Sequence, residues 1–134
     1  MNKNKGSRTE RELFHMFYDS GCMPLRIAGS GSTPIPSCDL VVNCNNKHLA
    51  IECKSLKNDR KYLDDESINQ LRIFAERFNA TPILAIRFDR EEWYFLDVTD
   101  LNKLKRTKNN FVVSIEYAKK EGMSFEQVIK GDII

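Results

Sequence analysis

The stretch Asp39-Leu40-Val41-Val42-Asn43-Cys44-Asn45-Asn46-Lys47-His48-Leu49-Ala50-Ile51-Glu52-Cys53-Lys54 decides the fold. Asp39 to Asn43 and His48 to Lys54 are rich in β-branched and aliphatic residues, and the polar Cys44–Lys47 segment between them reads as the turn of a β-hairpin. Alternation sends Leu49, Ile51 and Cys53 to one face and Glu52 and Lys54 to the other. Pairing Asn43 with His48 across the turn sets the register, and that register brings Asp39 opposite Glu52.

Facing carboxylates sit about 4.5–5.5 Å apart at Cβ and repel. Lys54 relieves part of that repulsion, and a divalent cation relieves more. Carboxylate oxygens with a backbone carbonyl are the hard ligands Mg²⁺ takes, waters and substrate phosphate completing its shell. Such a centre polarises a phosphoryl group and lowers the pKa of a bound water, while a lysine orients that water or stabilises developing charge. The same residues also fit a surface ion pair of little energetic worth, and the hairpin pattern alone leaves both readings open.

Upstream, residues 7–20 carry Leu13, Phe14 and Phe17 on one helical face. Gly21 supplies a left-handed stop, and Ser7 and Glu10 stand at capping-box spacing. A short strand is expected between Met23 and Ala28, followed by a loop over residues 29–37. Downstream, a polar loop spans Ser55 to Asp65, and a second helix runs from about Glu66 to Phe78 with Ile68, Leu71, Phe74, Ala75 and Phe78 toward the core. Strands follow at Pro82–Phe88 and Glu92–Val98, around a turn at Asp89–Glu91. The tail offers a strand at Phe111–Ile115 and a short helix capped by Ser124 and Gln127. This order predicts an α/β fold, one central mixed β-sheet flanked by helices, with a parallel crossover through the second helix.

At 134 residues, with 41% apolar and 30% charged residues, the chain reads as one globular domain over 1–134. No apolar run reaches the roughly 18 residues of a membrane span, and no secretory leader is evident, so a membrane partner is not expected. Cys22, Cys38, Cys44 and Cys53 form no Cys-x-x-Cys pair, which argues against zinc and against a disulfide framework and leads us to expect a cytoplasmic chain with reduced thiols. Net charge is only +2. Basic residues nevertheless cluster at Lys3, Lys5, Arg8 and Arg11 and at Lys103, Lys105, Arg106 and Lys108, a distribution suited to a polyanion. Ser30 and Ser32 have no histidine at hand to act as base, which excludes a serine hydrolase. No GxxxxGK[ST] phosphate loop is present.

Asp39 followed by Glu52-Cys53-Lys54 resembles the PD-(D/E)xK nuclease signature. Lys5-Gly6-Ser7-Arg8-Thr9-Glu10-Arg11-Glu12-Leu13, Arg26-Ile27-Ala28-Gly29-Ser30-Gly31-Ser32 and Phe74-Ala75-Glu76-Arg77-Phe78 resemble, in order and spacing, segments of the archaeal Holliday-junction resolvases. The resemblance implies a restriction-endonuclease-like core. It implies Mg²⁺, with Mn²⁺ as a substitute, at Asp39, Glu52 and the Cys53 carbonyl, with Glu10 reaching the site from the first helix. Lys54 would be the catalytic lysine and Ser30 the catalytic-loop serine. Lys5, Arg8, Arg11, Arg26 and Ser32 would meet DNA. Two departures stand out: Cys38 replaces the signature proline, and the acidic Tyr62-Leu63-Asp64-Asp65-Glu66 stands where many relatives are basic.

The function implied is a Mg²⁺-dependent, structure-selective DNA endonuclease. Acting as a homodimer on branched DNA, it would resolve four-way junctions by paired symmetric nicks. It would work in the cytoplasm at nucleoid DNA, or in host cytoplasm if viral. The alternatives are a same-fold nuclease acting on flaps, forks or duplex, and a non-catalytic DNA-binding module.

Overall fold

A computed structural model describes residues 2–28, 34–88 and 92–131, with backbone alone at 2–7, 56 and 103. The hairpin forms as its sequence predicts. Strands β2 (Leu40–Cys44) and β3 (Lys47–Leu56) pair antiparallel from Leu40↔Ile51 through Asn43↔His48 to Cys44↔Lys47. The turn is tighter than expected, only Asn45 and Asn46. Both have positive φ, 52° and 65°, the backbone that matches hairpin twist and that asparagine tolerates.

Helix α1 (Asn2–Asp19) leads through Gly21 (φ 93°) into β1 (Met23–Arg26), an edge strand paired antiparallel with β2. After β3 come β4 (Arg60–Asp64), α2 (Asp65–Phe78), β5 (Thr81–Phe88) and β6 (Trp93–Asp97). The main sheet has the order β1-β2-β3-β5-β6. β5 lies parallel to β3 from Leu49↔Thr81 to Leu56↔Phe88, and α2 supplies the expected crossover. A one-turn 3₁₀ segment (Leu101–Lys103) precedes β7 (Lys105–Arg106), β8 (Asn110–Ser114), α3 (Ile115–Glu121) and α4 (Phe125–Ile129). The Ser124/Gln127 capping box of α4 is present, both bonds formed.

Both faces of the main sheet are buried, which is why β5 is apolar almost throughout. Leu13 and Phe17 of α1 pack on Leu40, Leu49, Ile51, Ile83 and Phe95. On the other face Ile68, Leu71 and Ala75 of α2 meet Val41, Ala50, Leu84 and Ile86.

Four expectations are corrected. First, the described residues form two sheets. The polar stretch 60–64, expected as loop, forms β4 and pairs with β8 in a three-stranded sheet of order β4-β8-β7. Of its residues only Leu63 is buried, so its sequence carries no apolar alternation. Second, α1 begins at Asn2, so Ser7 lies inside the helix and cannot cap it. A helix tolerates the interior Gly6 at a cost of about 1 kcal/mol. Third, Cys22 and Cys44 form a disulfide with Cα atoms 4.8 Å apart. The β1–β2 register, Met23↔Asn43, brings these two thiols opposite each other, and only Cys38 and Cys53 are free. Fourth, Phe78 is not core: it is 49% exposed and stacks on the half-buried Phe74 with ring centres 5.2 Å apart.

Candidate active site

Asp39 sits just ahead of β2, held by its backbone on both sides. Its N–H donates to the Ile51 carbonyl at 3.0 Å, and its carbonyl accepts from Ile27 N at 2.9 Å. Its carboxylate reaches β3, where Oδ2 accepts the Cys53 N–H at 2.9 Å. Continuing the ladder one step past Leu40↔Ile51 puts Asp39 across from Glu52, as the sequence register predicts. Lys54, two residues on and on the same face, has its Nζ 3.6 Å from Glu52 Oε2.

Glu10 arrives from α1. The Arg26 guanidinium Nε donates to Glu10 Oε1 at 3.1 Å. Arg26 can reach it because it ends β1 opposite Leu40, next to Asp39. The capping explanation of Glu10 therefore gives way to an ion pair at the site.

The electrostatics tie these groups together. Burial, then the charge of Asp39, push the Glu52 carboxyl up to about 7, with Glu10 adding to the rise and Lys54 opposing it. Burial and Asp39 likewise raise Glu10 against the pull of Arg26 and Arg11. Glu10, Asp39 and Glu52 thus feel one another's charge, with Lys54, Arg26 and Arg11 opposing it. Among the described residues no three His, Cys, Asp or Glu side chains stand close enough to enclose a metal ion unaided. The donor set nonetheless fits a hard divalent cation: such an ion needs few protein carboxylates because it keeps waters and takes substrate phosphate. Its charge would offset the repulsion from Asp39 and Glu10 that adds to the effect of burial on Glu52.

The remaining predicted residues are distributed as follows. Arg8 and Arg11 are exposed on α1 near Glu10. Lys5 lies in α1 but its side chain is outside the described set, and Ser30 and Ser32 fall outside the described residues. Cys38 is buried, its Sγ donating to the Leu40 carbonyl at 3.2 Å. Burial pushes its thiol up to about 12, so it packs as a small hydrophobe.

The acidic run beside the site is largely engaged. Asp64 caps α2, accepting Ser67 N at 2.7 Å, and Asp65 accepts from Arg106 Nη2 at 2.7 Å. Arg106 also lies 4.4 Å over the Phe111 ring, so the second basic cluster is not wholly solvated. Sequence reading missed this pairing, which bridges the missed strand β4–α2 junction to β7. It also left Glu12 without a role, although the residue stands in the quoted motif. Glu12 accepts from Arg87 Nη1 and, at 3.1 Å, from Trp93 Nε1.

The model of a family described as archaeal Holliday junction resolvase matches residues 1–133. The crossover junction endodeoxyribonuclease Hjc of Archaeoglobus fulgidus is 34% identical, the match covering 93% of this chain and 95% of the relative. The Hje enzyme of Sulfolobus acidocaldarius is 28% identical over 87% of this chain and 86% of its own length. The solved structure of A. fulgidus Hjc, a Holliday junction resolvase, superposes with a TM-score of 0.83 at 32% identity, covering 92% of this chain and 99% of that one. The family model spans nearly the whole chain, the stretches that carry Glu10, Asp39, Glu52 and Lys54 included, and the chain belongs to the archaeal Holliday junction resolvase family.

Proposed function

We propose that the chain is a divalent-metal-dependent endodeoxyribonuclease that resolves four-way DNA junctions. One observation carries the reading: Asp39, just ahead of β2, stands across from Glu52 of β3, with Lys54 at 3.6 Å from Glu52 and the Cys53 amide on Asp39. The names of the relatives supply the substrate.

Asp39, Glu52 and the Cys53 carbonyl would hold Mg²⁺, or Mn²⁺ in its place, with Glu10 contributing from α1. When bound, the ion supplies Lewis acidity toward the scissile phosphate and an acidified water. The protein's own share is orientation and charge. The Cys53 N–H fixes the Asp39 carboxylate. Lys54, as an ammonium, orients the attacking water or stabilises charge on the phosphorane oxygens. Arg26 holds Glu10 in place, and Lys5, Arg8, Arg11 and Arg26 are the proposed contacts of the DNA backbone. Ser30 and Ser32 are proposed contacts of the neighbouring loop.

Two opposed nicks need two such sites, so the active unit is a homodimer. Its surface is the apolar face made by Ile35, Ile73 and Phe78, which are 70%, 44% and 49% exposed. A substrate of this kind places the protein with DNA in the cytoplasm.

The test is incubation of end-labelled junction, flap and linear duplex with Mg²⁺ or with a chelator. The expected result is paired nicks in the junction, in Mg²⁺ only. Equal rates on duplex, or cleavage in chelator, overturn the reading.

A further inference from the structure

Glu12 lies within the segment Lys5–Leu13 yet does not share a helix face with Glu10, since two residues turn an α-helix by about 200°. Its carboxylate instead spans two strands of the main sheet. One oxygen accepts from Arg87 near the end of β5, the other from the indole N–H of the buried Trp93 at the start of β6. Arg87 lies opposite Ser55, two residues past Cys53 in the β3–β5 ladder, so this clamp grips α1 at the end of the sheet that carries the site.

The rest of the α1 attachment is of another kind. Leu13 and Phe17 are fully buried, and their apolar contacts hold the helix to the sheet without directional bonds. The Cys22–Cys44 bond secures the chain beyond the far end of the helix. Near Glu10 the directional holds among the described residues include Arg26 on one side and the Glu12 clamp on the other. The Arg87–Glu12 pair is about one-third exposed on both partners, and such pairs add little to stability. Its consequence is geometric: with its two oxygens on separate donors, Glu12 cannot follow a turn of α1 without giving up a hydrogen bond.

We infer that Glu12 is a positioning residue for the reaction, locking the rotation and axial setting of α1 on β5 and β6 so that Glu10 is presented to Asp39 and Glu52. The inference rests on the reading of Glu10 as part of the catalytic centre. Misplacement of a reacting group by about 1 Å can cost on the order of 100-fold in rate.

The experiment compares wild type, Glu10→Gln, Glu12→Ala, Glu12→Gln and the double variant Glu10→Gln/Glu12→Ala. Cleavage is measured at saturating junction DNA across a Mg²⁺ titration. Junction affinity is measured in chelator. Trp93, the single tryptophan, reports loss of the clamp through its emission in metal-free protein. Amide exchange over residues 8–14 reports the loosening of α1, with β3 as the internal control.

Glu12→Ala is expected to lose about 10- to 100-fold in rate, with junction affinity within about threefold and more Mg²⁺ needed for half-maximal rate. Its α1 amides exchange faster while those of β3 do not. Glu12→Gln keeps one acceptor and sets its NH2 against the other donor, so its rate falls between those of wild type and Glu12→Ala. The double variant is no slower than Glu10→Gln, because a residue acting through Glu10 has nothing left to position.

Glu12→Ala cleaving within about twofold of wild type overturns the inference. So does a loss of affinity in proportion to rate, or a multiplicative further loss in the double variant. Full activity of Glu10→Gln overturns the reading of Glu10, and the inference with it. An inactive Glu10→Gln beside an unimpaired Glu12→Ala removes the inference alone.

Discussion

Asp39 Oδ2 accepts the backbone N–H of Cys53 at 2.9 Å, so the first carboxylate of the site is hydrogen-bonded to the strand that carries the second. A hydrogen bond to a charged group is worth about 1.5–3 kcal/mol net. Asp39 therefore has one preferred orientation, set by β3 itself. Cys53 is thus bonded to Asp39 through its amide while its carbonyl stands between Glu52 and Lys54 in sequence. The register of one hairpin controls the whole group, and a one-residue slip would carry Glu52 and Lys54 to the opposite face.

Asp39→Asn and Glu52→Gln should each abolish cleavage while retaining junction binding. Their negative charge serves the cation, and its removal near phosphates leaves binding equal or tighter. Rates on labelled junction in Mg²⁺ and affinities in chelator separate the two effects. A variant cleaving within about threefold of wild type, a barrier change of only ~0.7 kcal/mol, contradicts the site assignment.

The raised Glu52 carboxyl gives a pH dependence of definite sign. Its folded pKa of about 7 lies above its ordinary value of 4.5, so metal-free folded protein binds the extra proton between them. Stability from this group is present below about pH 4.5 and is lost as pH rises through 7. Thermal melts in chelator should show Glu52→Gln gaining on wild type between pH 5 and 8, and Mg²⁺ raising the wild-type midpoint most at the alkaline end. With Mg²⁺ limiting, cleavage should rise through neutrality, its midpoint moving acidward as Mg²⁺ increases. Parallel melts of the two proteins across this range would contradict the burial of Glu52.

The Cys22–Cys44 bond closes a loop of sequence separation 22 between the end of the α1 segment and the hairpin turn. Chain-entropy arithmetic assigns roughly 3 kcal/mol to a loop of this size. Reductant should therefore lower the melting temperature by several degrees, and the Cys22→Ser/Cys44→Ser variant should melt like reduced wild type, indifferent to reductant. The same bond is rare in cytosolic proteins other than those of hyperthermophiles. A melt unaffected by reductant would show that the bond contributes nothing.

Much of this structure is legible because the hairpin's information is local. The hairpin, the alternation of Leu49, Ile51 and Cys53, and the pairing of Asn43 with His48 all follow from adjacent residues, though the turn closes one pair earlier than expected, at Cys44↔Lys47. What escapes is non-local or masked by polarity. β1 meets β2 only after a long connection, so nothing in the spacing of Cys22 and Cys44 announces their contact. β4 buries a single residue, Leu63, and looks like loop. Arg106 and Asp65 are joined across 41 positions, and Glu12 meets Trp93 across 81, with no periodic signal for either. Glu10 illustrates a competition between local and distant partners. Its spacing from Ser7 satisfies a capping rule, but α1 starts earlier and the carboxylate goes to Arg26 instead.

The exposed apolar face on α2 leads to the last prediction. Phe78 and Ile73 are 49% and 44% exposed, with Ile35 at 70% beside them and Phe74 stacked beneath Phe78. Large apolar side chains grouped on a surface mark an interaction site more often than scattered ones do. A four-way junction offers two equivalent strands, and a two-fold dimer offers the same site twice, so matched symmetry explains paired nicks without sequence reading. Wild type should therefore sediment as a dimer, and Ile73→Glu/Phe78→Glu as a monomer that is folded and makes single nicks. Mixing wild type with excess Glu52→Gln, under conditions of subunit exchange, should yield junctions nicked on one strand only, because each mixed dimer carries one working site. A wild-type chain that sediments as a monomer, alone and on junction DNA, would refute the paired mechanism and leave a simple nickase.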